Sequence, residues 1–144
     1  IDLGIAMQLT NIARDVVEDE KKNRVYLIKN SSDVFKSIKN IILKADSFYD
    51  SSFEGIRDIP LNSRFSIIVA RRVYRQIGKK ILDKKDIQNY RQSGKIYVSN
   101  LGKVIQTLFS LKDLIILFFL KKKKYKKELE YNLISEEIGL NERI

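Results

Sequence analysis

Gln8, Asn11, Asp15 and Asp19 are separated by the three- and four-residue steps of a helix. At about 100° per residue they fall in one narrow arc and form a single polar stripe. Two carboxylates one turn apart repel each other by roughly a few tenths of a kcal/mol unless a cation bridges them. Bridged by a divalent cation, Asp15 and Asp19 become a platform for a diphosphate, with Gln8 and Asn11 placed to orient phosphate oxygens or water. The chain has no cysteine and no histidine, so thiolate and imidazole ligands are excluded and any metal must be held by oxygen. That donor set points to a hard cation such as Mg²⁺, with Mn²⁺ as a substitute. The same spacing recurs at Asp46 and Asp50, where nothing nearby suggests a function. What distinguishes the first pair is its context. From Asp2 to Glu20 five acids face the single base Arg14, inside a chain whose net charge is +10.

Helices must position this stripe. One proline and six glycines interrupt 144 residues, and Leu, Ile, Lys and Arg recur at helical spacing, which predicts an all-α protein with one core. Periodicity predicts a first helix over 2 to about 20, with Leu3, Ala6, Ala13 and Val17 turned inward. A second helix is expected from the Ser31-Ser32-Asp33 cap to about Asp50, burying Phe35, Ile38, Ile42, Ala45 and Tyr49. The stretch 51–62, with Gly55 and Pro60, should break it. A third helix over about 63–84 carries the stripe Phe65, Val69, Val73, Ile77 and Ile81, with Arg71, Arg72, Arg75, Lys79 and Lys80 mostly beside it. A turn around 88–94 precedes a very apolar stretch from Asn100 to Leu120. Six lysines then follow within 121–127. The start at Ile1, with a helical pattern already running by Leu3, reads as a cut inside a larger protein.

The run from Leu3 to Asp19 (Leu-Gly-Ile-Ala-Met-Gln-Leu-Thr-Asn-Ile-Ala-Arg-Asp-Val-Val-Glu-Asp), followed by Asn23-Arg24-Val25-Tyr26-Leu27, resembles the second aspartate-rich signature of the squalene/phytoene synthase family. Further similarity follows in order at 45–49, Gly55-Ile56, Ile59-Pro60, Arg64 and 73–78. The resemblance covers roughly 3–103 and implies the C-terminal part of a helical isoprenoid synthase fold, with 104–144 forming an apolar helix and a lysine-rich tail. It implies that Asp15 and Asp19 bind Mg²⁺ and the diphosphate, with Gln8, Asn11 and Arg14 in the same constellation. It also implies that Tyr74 lines the cavity and that Lys95 and Lys103 lie near the diphosphate. Lys95 stands where relatives often carry arginine, which gives up bidentate phosphate contacts. Ile28 stands where a proline is usual, and the connection to the second helix is short.

The implied reaction is the head-to-head condensation of two geranylgeranyl diphosphates to phytoene, a carotenoid precursor, through a cyclopropyl intermediate. Squalene or dehydrosqualene synthesis from farnesyl diphosphate is the alternative enzyme reading, and a non-catalytic assembly factor the alternative from another class. A first aspartate-rich motif would lie upstream of Ile1, so these residues alone are expected to be inactive. The positive charge calls for an anionic partner. Nucleic acid is not expected, because only Tyr125 interrupts the lysine block. The stretch 104–127 fits either peripheral contact with an anionic membrane or a buried terminal helix with a solvated tail. No uncharged apolar run reaches the ~18 residues of a spanning helix, so the expected location is the cytoplasm, peripheral at the membrane.

Overall fold

The computed structural model describes residues 1–22 and 34–120. Among them the chain forms five α-helices and one turn of 3₁₀ helix, with no strand, so the expected all-α class is the one found. The helices are α1 (Asp2–Lys21), α2 (Val34–Gly55), α3 (Leu61–Leu82), α4 (Ile87–Gln92) and α5 (Asn100–Phe119), with the 3₁₀ turn at Ile56–Asp58. The expected cap Ser31-Ser32-Asp33, the Asn23–Leu27 part of the signature, Ile28 and the lysine-rich tail lie outside the described residues.

Helix α1 runs antiparallel to α2. Asp2 accepts from Ser51 (2.5 Å) at one end, and the Thr10 and Tyr49 hydroxyls are 3.0 Å apart in the middle. At the other end Ala13 and Val16 join Val34, Ile38 and Ile42 in the main core. Helix α3 returns against α2. Gly78 permits that approach, because a Cβ there would come within 3.1 Å of the Ile42 side chain. Ile77 and Ile81 complete the same core, and each fully buried side chain of this size contributes about 1.5–3 kcal/mol. Helix α5 then packs on α3, where Leu117 meets Ile68 and Ile56 and Arg72 grips Asp113 at 2.5 and 2.7 Å. It spans the expected 103/104 boundary.

Three expectations need correcting. Helix α2 continues to Gly55 instead of ending near Asp50; Ser51 and Ser52 donate their hydroxyls back to the carbonyls of Phe48 and Tyr49, which a helix accommodates. The turn expected at 88–94 is the helix α4, nucleated by Asp86, whose carboxylate accepts from the Asn89 amide at 2.8 Å. Arg71 does not sit beside the apolar stripe of α3. It is buried, donating to the Tyr49 carbonyl at 2.8 Å and lying 4.8 Å from the Phe53 ring centre, while Ile68 is the buried apolar residue of that turn.

Candidate active site

The stripe of α1 is positioned from below by α4 and from the side by the segment leading into α5. Tyr90 of α4 is buried, and its hydroxyl donates to the carbonyls of Ala13 (2.6 Å) and Arg14 (2.9 Å). Burial pushes its pKa up, so it remains a neutral donor. Gly94, at φ 61°, then turns the chain in the left-handed region where only glycine is unstrained. From there the segment runs extended, with Ile96 and Val98 in the core and Lys95 and Tyr97 facing out. Alternation of this kind fixes the direction in which Lys95 leaves the backbone.

Lys95 leaves towards the acids of α1. Its Nζ lies 3.3 Å from Asp15 Oδ1 and 2.9 Å from Glu18 Oε2. Arg14 holds Asp15 with both arms, Nε to Oδ1 at 2.8 Å and a terminal nitrogen to Oδ2 at 3.0 Å. That hydrogen bond, against an opposing cost of burial and with help from Lys95, holds the Asp15 carboxyl below its ordinary 3.8. Conversely, the bond to Asp15 raises Arg14, and the bond to Glu18 raises Lys95. The result is a compact two-plus-two cluster of Arg14, Lys95, Asp15 and Glu18. Tyr74 of α3 packs against the cluster of Ala6, Phe48 and Tyr49 that α1 and α2 share.

Asp19, one turn further along, has no side-chain partner among the described residues, and Gln8 is exposed. Asn11 lies between them, and its Oδ1 is buried with no hydrogen-bond partner among the described residues. A buried acceptor of that kind costs about 1–3 kcal/mol unless something else satisfies it. Lys103 stands apart on the exposed first turn of α5, with no hydrogen bond or ion pair to the cluster. Glu18 and Tyr90 were not anticipated. Glu18 sits three residues from Asp15 and was legible from spacing alone, whereas Tyr90 reaches α1 across 77 positions of sequence and carries no local signal.

Among the described residues no group of three or more acids, histidines or cysteines surrounds one metal position. A cation at Asp15 and Asp19 would therefore complete its shell with phosphate oxygens and water, as Mg²⁺ does when one or two carboxylates hold it against a substrate. The all-oxygen donors and the orphaned Asn11 Oδ1 fit such an occupant.

The family model described as "Squalene/phytoene synthase" matches residues 1–27, which span the whole acidic stripe. Together with the relatives below, this match makes the chain similar to part of the squalene/phytoene synthase family. It is 35% identical to a 15-cis-phytoene synthase of Enterobacter agglomerans, over 56% of this chain and 33% of that one. It is 36% identical to a 15-cis-phytoene synthase of Paracoccus sp., over 63% of this chain and 34% of the relative. A chloroplastic phytoene synthase 1 of Solanum lycopersicum is 35% identical, over 72% and 28%. The chain spans about a third of the length of the curated relatives it matches. No solved structure matches it. Its all-helical architecture is consistent with the isoprenoid synthase fold of this family.

Proposed function

We propose that this chain supplies the diphosphate-handling wall of a phytoene synthase-type prenyltransferase. The observation that carries the reading is the convergence of Arg14 and Lys95 on Asp15, from two segments 81 positions apart in sequence, one turn from Asp19, which has no side-chain partner among the described residues. Asp15 and Asp19 are the residues to hold Mg²⁺, or Mn²⁺ in its place, with Asn11 and Gln8 orienting phosphate oxygens or bound water. Bound there, the metal would supply Lewis-acid charge to a departing diphosphate. Arg14 and Lys95 hold that diphosphate as charge leaves the allylic carbon, a stabilisation by fixed charges that need not reorganise. Tyr74 and the apolar surface around Ala6 and Phe48 shield the resulting cation from water.

The substrate in this reading is a pair of geranylgeranyl diphosphates. One loses its diphosphate to give an allylic cation. The double bond of the other captures it with loss of a proton, forming a cyclopropyl intermediate that keeps the second diphosphate. Departure of that diphosphate, rearrangement and loss of a second proton give phytoene. The names of the relatives favour this substrate over farnesyl diphosphate. Incubating the full-length protein with Mg²⁺ and either substrate, then identifying the hydrocarbon, tests the proposal. Phytoene from the wild type, lost in Asp15→Ala, is the expected outcome. Squalene or dehydrosqualene would reassign the substrate. No hydrocarbon from a folded protein would instead indicate a non-catalytic relative.

A further inference from the structure

A cavity lined by cations lies apart from the acidic stripe, where α5 packs on α3. Arg71, Arg72, Arg75, Gln76 and Lys79 of α3 and Gln106 of α5 line a volume of about 160 Å³. The α3 residues follow helical steps of three and four, which bring them to one side of the helix. The grip of Arg72 on Asp113 fixes α5 alongside and delivers Gln106 to the same space. Among the described residues no carboxylate lines the cavity. A polar cavity admits a water from roughly 10–15 Å³ upward, so this one has room for a small anion together with several waters.

The cations around it are unequally compensated. Arg75 is held by Asp46 and Asp50, and Arg72 by Asp113. Arg71 is only 6% exposed, yet its Nε donates to a neutral acceptor, the Tyr49 carbonyl. Its one carboxylate contact among the described residues is a 3.5 Å approach to Asp50, which Arg75 already holds at 2.6 Å. A buried charge without a counter-charge of its own is costly. Burial and the neighbouring Arg75 both lower the Arg71 pKa, the sign of a cation short of negative charge. Lys79, exposed beside it, makes no ion pair among the described residues. Four cations thus face the cavity while three carboxylates engage them. We propose that this cleft binds a phosphate-type oxyanion, whose oxygens accept from the guanidinium donors of Arg71 and Arg72 that the carboxylates leave over, with Lys79 and the two glutamine amides completing the shell. The protein's own cations supply the charge, so the site needs no metal. Two sources carry this chemistry, inorganic phosphate and the diphosphate that the reaction proposed above releases. The inference is independent of the reading of the acidic stripe.

Calorimetric titration of inorganic phosphate, and separately of diphosphate, into the full-length protein in EDTA at constant ionic strength tests the site. Saturable binding of at least one of the two anions is expected without any divalent cation, and the tighter ligand identifies the source. Gln106→Glu sets a carboxylate against Arg72 and should weaken binding at least about tenfold. Lys79→Gln, at an exposed position, should weaken it about threefold. Lys95→Gln removes a cation of the α1 cluster and should leave binding within about twofold of wild type. Helical circular dichroism should be the same in all three variants. Three results would overturn the proposal: no saturable binding of either anion in EDTA, binding that neither Gln106→Glu nor Lys79→Gln weakens, or binding that Lys95→Gln abolishes.

Discussion

The chain carries two aspartate pairs at identical helical spacing, Asp15 and Asp19 on α1, Asp46 and Asp50 on α2, and the structure treats them in opposite ways. Arg75 of α3 reaches both members of the second pair, at 2.5 and 2.7 Å to Asp46 and 2.6 and 3.1 Å to Asp50. Arg71 adds a longer contact to Asp50 at 3.5 Å. Although burial opposes it, hydrogen bonding to the two carboxylates raises the pKa of Arg75, so a permanent cation already bridges this pair. On α1 no cation among the described residues bridges both acids. Asp15 is held by Arg14 and Lys95, and Asp19 has no described partner. An i,i+4 aspartate pair is therefore a structural clasp when an arginine of a neighbouring helix spans it, and a candidate metal platform when the spanning position is left open.

Substitutions should separate the two pairs, most of all in catalysis. Asp15→Ala in the full-length protein should lower turnover at least about a hundredfold, a loss typical of removing one electrostatic element of a site. Asp50→Ala should leave turnover within about threefold. Equal losses at both positions would erase the distinction. Arg75→Ala should act in reverse, leaving the α1 site intact while exposing the mutual repulsion of Asp46 and Asp50. These side chains are partly exposed, so solvent screening limits the cost to about 1 kcal/mol, measured as a shift in the denaturant midpoint. A midpoint unchanged within error would mean that the clasp contributes nothing to folding.

A smaller effect concerns protonation. Arg14 holds Asp15 below its ordinary 3.8, so the pair's contribution to stability is fully present above that value. It is lost only as the pH falls through the lower folded-state value. A carbon-13 titration of the Asp15 carboxyl should give a midpoint below 3.8, moving upward in Arg14→Leu. A midpoint at or above the ordinary value would remove Arg14 from the account.

Much of this was legible in the sequence, for physical reasons that differ between elements. Helices α1 and α3 follow from apolar periodicity, and their observed ends lie within about two residues of those expected, the usual scatter of helix boundaries. The inward residues Ala6, Ala13, Ile38, Ile42, Ala45, Tyr49, Ile77 and Ile81 are buried, while Leu3, Val17, Phe35, Phe65, Val69 and Val73 are only half-buried at the edges of the same stripes. Helix α4 escaped because six mostly polar residues show no period, and only its Asp86 cap marks it. Arg71 escaped because a charged residue on a helix is expected in solvent. Its burial depends on a carbonyl of α2 and a phenyl ring that only the tertiary structure supplies.

The acidic stripe itself could be read from spacing and composition. Its completion by Lys95 could not, since resemblance alone placed that residue near the diphosphate, and the ion pair with Asp15 depends on the Gly94 turn and the Ile96 and Val98 anchors. Resemblance placed Lys103 there too, yet it lies on an exposed turn without a partner in the cluster.

The most direct test of the account is calorimetric titration of pyrophosphate with Mg²⁺ into the full chain, comparing wild type, Asp15→Asn and Asp46→Asn. Each variant removes one negative charge from an i,i+4 pair, so net charge cancels from the comparison. The account predicts that Asp15→Asn weakens binding at least about tenfold, as loss of a metal-site group commonly does, while Asp46→Asn stays within about twofold of wild type. Equal weakening in both variants, or none in either, would contradict the assignment of the metal–diphosphate platform to α1.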